Sequence, residues 1–278
     1  MDDYSAWVGR SETRYDIATA APLAGLAALL DHEAAAPATV APLGHWLYFL
    51  PDARQSAIGE DGHPRREANG LLPPVPLPRR MWAGGRVEFL APIAVGAALT
   101  RVTTIAAIRA KRGASGDLLF VTLQHDITAD GIATIREEQD LVYRAAVTGS
   151  TPPAESAPAP APEPAEAIRR VTADPVLLFR FSALTFNAHR IHYDRDYARD
   201  VEGYPGLVVH GPLIATLLVD HAQRELPGLT PRQFSFRAEA PMIDGAPFDL
   251  CLTKRAGGAR LSSRNAAGKI TMRAEIAF

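Results

Sequence analysis

The period of hydrophobic and polar positions changes several times along the chain, and these changes outline the elements. Residues Ala20–Leu30 are an Ala/Leu-rich stretch of helical character. Thr19 is placed to cap it, and Pro22 falls in the first turn, where a missing N–H costs nothing. Strands are predicted over Arg86–Leu90, Thr100–Arg109, Leu118–Thr128 and Thr134–Arg144. Between the last two, Asp130-Gly131 supplies the turn chemistry of a hairpin. Farther on, Val176–Thr185 reads as a strand and Arg195–Arg199 as a short helical piece. Pro212–Arg224 reads as a helix with Leu213, Leu217 and Leu218 on one face. Three more strands are expected near Gln233–Glu239, Pro247–Lys254 and Lys269–Phe278. A helix followed by a run of antiparallel strands, twice over, predicts an α+β fold of two sheets, each wrapped on one long helix. The halves share element order but no residue-level repeat.

Two segments break the pattern. Residues 149–166, G-S-T-P-P-A-E-S-A-P-A-P-A-P-E-P-A-E, alternate proline with alanine. Proline lacks the N–H and fixes φ, so the run favours an extended spacer over helix or sheet. The expected organisation is therefore residues 1–148, a linker over 149–167, and residues 168–278. Residues 51–80 hold six prolines and three glycines and predict a long irregular insertion. Such a loop either caps a site or is a solvated excursion.

Composition narrows the class. The 278 residues are 47% hydrophobic and 22% charged, which is globular. The net charge of −2 makes no electrostatic case for nucleic acid. The basic residues are 26 Arg and 3 Lys. A single cysteine, Cys251, excludes an intramolecular disulfide and fits a reducing, cytoplasmic setting. The start, M-D-D-Y-S-A-W-V-G-R, is unlike a secretory signal, and no long apolar run predicts a membrane span.

Candidate chemistry concentrates in residues 181–214, which bring Asn187, His189, His192, Asp194 and His210 close together in sequence. His192 suits proton transfer near neutral pH. Asn187 can hold a water or a carbonyl through its amide. His210-Gly211-Pro212 opens a helix, and free N–H groups at a helix N-terminus stabilise a developing oxyanion. A base, a water holder and an oxyanion site are thus available in one segment. His189, His192, His210 and Asp194 would also serve as zinc ligands, but neither H-E-x-x-H nor paired-cysteine spacing is present, and no metal is expected.

The stretch T-F-N-A-H-R-I-H-Y-D resembles the hydratase-2 motif of MaoC-like hot-dog enoyl-thioester hydratases, commonly G-D-x-N-P-I-H. Ile191-His192 match its Ile-His. Asn187 falls on the Asp, His189 on the Asn, Arg190 on the Pro and Phe186 on the Gly. Downstream, P-G-L-V-V-H-G-P-L resembles the family's H-G segment. The F-N-x-H-R-I-H-Y-D form, the chain length and L-P-R-R-M-W-A-G-G-R at 77–86 are similar to the mesaconyl-C4-CoA hydratases and the type 2 hydroxyacyl-thioester dehydratases.

The resemblance implies a double hot-dog: an N-terminal unit that shapes the acyl pocket and a C-terminal catalytic unit. It implies syn addition of water to an enoyl-CoA, with His192, Asn187 and Gly211 as catalytic residues. Asn187 in place of Asp can orient water but cannot act as an acid. Asp194 either partners His192 or caps the helical piece that follows it. A dicarboxylic acyl group would call for a cation, and Arg190, Arg80 and Arg86 are candidates beside surface or CoA-phosphate roles. His189, His210 and Trp82 complete the candidate substrate-binding set. Trp46, Tyr48 and Trp82 either line the acyl pocket or are core aromatics. No cofactor is expected beyond the CoA carried by the substrate, and no nucleic acid or membrane partner. A homodimer is compatible with the fold. Three functions fit: hydration of a C5 dicarboxylyl-CoA such as mesaconyl-C4-CoA or itaconyl-CoA to citramalyl-CoA, dehydration of a (3R)-hydroxyacyl thioester in fatty-acid synthesis, and non-catalytic acyl-thioester binding.

Overall fold

The computed structural model describes residues 3–33, 37–66, 70–113, 116–145 and 164–278. In chain order its elements are β1 (Ser11–Ile17), α1 (Ala20–Leu29), β2 (Arg79–Phe89), β3 (Ala98–Gly113), β4 (Gly116–Ala129), β5 (Ile132–Arg144), β6 (Ala167–Thr172), α2 (Pro175–Thr185), α3 (Gly211–Glu225), β7 (Gln233–Ala238), β8 (Pro247–Arg255), β9 (Gly258–Arg264) and β10 (Ile270–Ala277). Two compact units emerge: Met1–Ala146 with Leu184–Asn187, and Val147–Ala183 with Ala188–Phe278. Most of the Pro/Ala run expected as a linker lies outside the described residues. No helix among the described residues is long and apolar enough to cross a membrane.

The first unit is an antiparallel sheet in the order β1-β3-β4-β5-β2. Asp130 and Gly131 both take positive φ, at 49° and 81°, and turn β4 into β5 at the place where the hairpin is expected. The second unit repeats the order as β6-β8-β9-β10-β7. In both units the first strand precedes the helix and pairs with the third strand, so the duplication of element order is a duplication of topology. The two helices differ. α1 buries only Leu23, Leu26 and Leu29. α3 is buried at every position from Leu213 to Ala222 and packs on β8, β9 and β10. A helix that is apolar nearly all round must lie inside its unit.

Two expectations change. Val176–Thr185 is not a strand but most of α2, which runs Pro175–Thr185. Asp174 accepts the Leu177 N–H at 2.8 Å and Pro175 follows it, a helix start that outweighs the apolar run. Leu178, Phe181 and Ser182, at helical spacing, form the buried face. The strand expected to begin at Arg86 begins at Arg79 instead. Its register shifts between Trp82 and Gly84, so the glycines mark a bulge inside the strand and not its boundary.

The described residues of the 51–80 stretch are not a solvated excursion. Val75 is buried in a cluster with Tyr4, Ile105, Leu119, Val121 and Tyr143, and Leu71, Leu72 and Leu77 pack beside it. The Arg66 guanidinium donates to the carbonyls of Val75, Leu77 and Pro78 and lies over the Tyr143 ring. Trp82 packs against the same cluster, donates to the Gly84 carbonyl at 2.9 Å and meets Trp46 edge-on. Trp46 in turn donates to Glu137, and Tyr48 is buried with its hydroxyl on the Thr19 carbonyl. These contacts are those of core aromatics.

Candidate active site

The segment singled out in the sequence begins where α2 stops. Phe186 takes φ 47°, the left-handed conformation that ends many helices, although it is a bulky residue where glycine is the usual choice. Asn187 is half-buried in the loop that follows. Arg190–His192 then form one tight turn, and His189 precedes it. Asp194 accepts the Tyr197 N–H at 3.0 Å and takes the Arg190 guanidinium at 2.6 Å. These two contacts hold its carboxyl below the usual range, the backbone N–H contributing most. Asp194 is therefore the cap of the helical segment that starts at Arg195 and runs on into Tyr197–Val201. Arg190 is held by this carboxylate and lies over the Tyr197 ring at 4.1 Å.

The chain returns through residues 204–210 beside the turn. The Val208 N–H donates to the Ile191 carbonyl at 2.9 Å, and His192 Nδ1 donates to the Val208 carbonyl at 2.7 Å. A carbonyl only accepts, so Nδ1 carries the hydrogen and Nε2 carries the lone pair of the neutral ring. Ile191 and Val208 share a small core with Ala198, flanked by Tyr197, Tyr204 and Ile243. Gly206 is needed for the close approach: a Cβ there would lie 2.8 Å from Asp244 Oδ1 and 2.9 Å from Ile243 Cγ2. Asp244 is buried, accepts the Leu207 N–H at 2.9 Å and pairs with Arg195.

Beneath His192 lies His210. The rings stack with centroids 3.7 Å apart and planes 20° apart, and His189 meets His192 edge-on at 5.4 Å. His210 is fully buried, its Nε2 lies 2.9 Å from Ser182 Oγ, and Phe181 packs against its ring. Burial first, then the neighbouring His192 and His189, push its pKa well below the ordinary value, so it is neutral. The sequence groups His210 with the substrate-binding residues, but the ring has no surface to offer a ligand, and its contacts are those of a support for His192. The next residue, Gly211, opens α3 with Pro212 behind it. As the first helical residue it has no intrahelical partner for its N–H. Stacking on His210 thus brings the His192 ring beside the N-terminus of the buried helix, where partial positive charge collects.

The other candidate residues belong to the first unit. Arg86 is half-exposed and bound by Glu138 at 2.5 Å and by Asp140 through two hydrogen bonds. Arg80 is half-buried on β2 with no ion pair among the described residues, and its charge is felt at His63. The Val208 carbonyl, Ser182 and Asp244 do not stand out in the sequence. The first is a backbone group with no sequence signature, and the other two are ordinary residues until the fold brings them in.

An α+β chain of two sheets of one topology, with a tautomer-locked histidine beside the N-terminus of a buried helix, has the layout of a hot-dog hydro-lyase. The family model for hydroxyacyl-thioester dehydratase type 2 matches residues 43–244. Mesaconyl-C(4)-CoA hydratase of Chloroflexus aurantiacus is 47% identical over 262 residues, covering 89% of this chain and 88% of the relative. The crystal structure of a MaoC-like dehydratase from Phytophthora capsici superposes with a TM-score of 0.68 at 14% identity, over 97% of this chain and 95% of that one. A Mycobacterium tuberculosis protein described as having a double hot-dog fold gives 0.56 at 17% identity, again over 97% and 95%. The chain belongs to the type 2 hydroxyacyl-thioester dehydratase family. Its fold is the double hot-dog, and it is an enzyme of the hydratase/dehydratase class, not a non-catalytic binding protein.

Proposed function

We propose that the protein catalyses reversible hydration of a C5 dicarboxylyl thioester, mesaconyl-C4-CoA, to citramalyl-CoA. The observation that carries the chemistry is the His192 Nδ1 hydrogen bond to the Val208 carbonyl, which leaves Nε2 as the basic nitrogen. Asn187 orients the water through its amide. His192 takes a proton from the water as the oxygen attacks Cβ, and negative charge develops on the thioester oxygen. The Gly211 N–H stabilises that charge, a contribution of about 3–4 kcal/mol for one such donor. His192 then delivers the proton to Cα on the same face, so one water is added in full. The reverse path returns the proton to the leaving hydroxyl. The neutral His210 beneath the ring supports this role, because a second cation there would oppose the imidazolium formed during turnover. No cofactor takes part beyond the CoA of the substrate.

The relative named for mesaconyl-C4-CoA supports the C5 substrate. A distal carboxylate calls for a cation, and the candidates are Arg190, which is paired with Asp194 on the catalytic segment, Arg86, which is paired with Glu138, and Arg80. The family description supports a second reading, dehydration of a (3R)-hydroxyacyl thioester in fatty-acid synthesis. Loss or gain of the enoyl-thioester absorbance separates the two. With mesaconyl-C4-CoA, itaconyl-CoA and crotonyl-CoA run side by side, mesaconyl-C4-CoA is expected to turn over best, itaconyl-CoA, whose double bond is not conjugated with the thioester, is expected to stay unreacted, and His192→Ala is expected to lose about 10²–10⁴-fold in rate. With Arg80, Arg86 and Arg190 changed to Gln one at a time, one variant is expected to raise KM for mesaconyl-C4-CoA and leave crotonyl-CoA unchanged. Better turnover of crotonyl- or longer enoyl-CoA would move the reading to the dehydratase. Undiminished activity of His192→Ala would overturn the mechanism.

A further inference from the structure

The hydrogen bond that leaves His192 Nε2 as the base depends on where the Val208 carbonyl lies. That carbonyl belongs to a short extended stretch, residues 207–209, which runs antiparallel to residues 242–244 in the loop between β7 and β8. The Val209 N–H donates to the Met242 carbonyl at 2.8 Å, the Asp244 N–H donates to the Leu207 carbonyl at 2.9 Å, and Val208 bridges Ile243. The loop is tied down in turn by the Gly245 N–H on the Ala173 carbonyl at 3.1 Å, just ahead of α2. On its other edge the stretch meets the His192 turn through the Val208 N–H and the Ile191 carbonyl.

The Asp244 side chain joins the two sides of this arrangement. Its Oδ1 accepts the Leu207 N–H at 2.9 Å and one Arg195 nitrogen at 3.2 Å, and its Oδ2 accepts the second Arg195 nitrogen at 2.5 Å. Leu207 directly precedes Val208, and Arg195 starts the helical segment that follows the His192 turn. One carboxylate therefore holds both the donor side and the acceptor side of the Nδ1 hydrogen bond. Its side chain is 1% exposed and that of Arg195 49%. A buried carboxylate is costly unless it is paired and hydrogen-bonded, as this one is. An apolar side chain could fill the same space, but hydrophobic contact has no direction, whereas a forked ion pair fixes distance and angle. Gly206 leaves the room for it: a Cβ there would lie 2.8 Å from Asp244 Oδ1 and 3.1 Å from Arg195 Nη1.

We propose that Asp244 and Arg195 are positioning residues for the hydration, a clamp that holds the Val208 carbonyl on His192 Nδ1 and so keeps Nε2 free of hydrogen. They act through Val208 and not on the substrate, and the proposal rests on His192 being the base. With the clamp released, the two segments separate and the 2.7 Å bond lengthens, so Nδ1 and Nε2 compete for the one hydrogen of the neutral ring. A ring that carries its hydrogen on Nε2 cannot take a proton from water at that atom. The loss falls on the transition state and not on substrate binding, so kcat drops and KM stays.

The test reads the His192 ring directly, by nitrogen NMR of the intact protein labelled at histidine, with His192→Gln to assign its signals. At about pH 8, above the ordinary range of histidine titration, the unaltered protein is expected to show Nδ1 protonated and Nε2 bare. Asp244→Asn keeps an acceptor for the Leu207 N–H and loses the charge that holds Arg195. Arg195→Met changes a half-exposed side chain, keeps its stem and removes the fork, so it folds even where the Asp244 variant does not. Both are expected to show mixed tautomers, a kcat for mesaconyl-C4-CoA lower by about 10–10²-fold and an unchanged KM. Arg195→Lys should recover part of the kcat. Unaltered nitrogen signals and kcat in Arg195→Met, with or without a lower Tm, would overturn the proposal. A lower kcat with His192 still protonated only at Nδ1 would overturn it as well. The tautomer is read without substrate, so absence of turnover by the unaltered protein would count against the hydratase reading, while the nitrogen signals would still decide the clamp.

Discussion

At the scale of single residues, the geometry around His192 assigns each neighbour one task. The Val208 carbonyl sets the tautomer, His210 supplies a neutral surface, and Ser182 holds His210 in turn. The neutrality of His210 has a consequence for pH. A histidine kept neutral when folded titrates near about 6.5 when unfolded. Below that value the unfolded chain binds the proton and the folded chain does not, so stability rises with pH through this window. The contribution is complete above about pH 6.5 and is lost as pH falls below it. His63 and His125, both pushed down chiefly by burial, act with the same sign. Urea unfolding midpoints should therefore fall between about pH 7 and 5, and His210→Phe should flatten part of that slope. Phe186 offers a second check. A side chain with φ at 47° costs about 1–2 kcal/mol, so Phe186→Gly should stabilise the protein by about 1 kcal/mol in a urea titration. No gain would mean that the exposed ring stabilises the fold by as much as the backbone strain costs.

At the scale of elements, the pieces that the sequence discloses are those with local causes. The hairpin at Asp130-Gly131 and the helix beginning at Gly211-Pro212 rest on turn and cap chemistry contained within a few residues. Val176–Thr185 is legible only in part. An apolar run of that length fits strand or helix, and the Asp174-Pro175 start decides for helix. The strands β1, β6 and β9 are not among those the sequence predicts. β9, G-A-R-L-S-S-R, has little intrinsic strand character and is a strand because β8 and β10 pair with both of its edges. The close approach of residues 204–208 to Ile243 and Asp244 is likewise tertiary. Gly206→Ala should therefore act on the element and not just on its own site. The displaced Asp244 carboxylate would lose its hold on the Leu207 N–H, and the expected cost is about 1–3 kcal/mol together with a fall in kcat. A thermal melt alongside the hydration assay reads both. An unaltered Gly206→Ala enzyme would show that the 204–208 segment can shift without moving Val208.

At the scale of the whole molecule, one topology serves two units with different interiors. The second buries α3 and the histidine stack. The first buries an ionic group: Glu137 accepts from Trp46 Nε1 and lies against His45 Nε2, each at 3.0 Å. Burial alone would raise the Glu137 pKa, but the hydrogen bond and charge of His45, the charge of His125 and the Trp46 N–H outweigh it and hold the carboxyl below its ordinary value. Its contribution to stability is present above about pH 4.3, the unfolded value, and is lost as pH falls through the lower folded value. Removing one partner of such a pair leaves the other buried and uncompensated, so Glu137→Ala should cost about 3–5 kcal/mol. Equilibrium unfolding monitored by tryptophan fluorescence would follow it, since Trp46 sits on this carboxylate. A loss below about 1 kcal/mol would mean that water replaces the carboxylate.

The sequence alone determined the α+β class, the hairpin, the α3 helix and the residue types in the Asn187–Gly211 segment, because each depends on neighbours along the chain. The three-dimensional structure decided the Nδ1 hydrogen bond of His192, the burial of His210, and the pairing of Arg190 with Asp194 and of Arg86 with Glu138 and Asp140. Most of these join groups from different elements, and even the Arg190 pair depends on the turn the chain takes between its partners. Tautomer, burial and the availability of a charge are properties of what surrounds a side chain, and those surroundings exist only once distant segments have packed together.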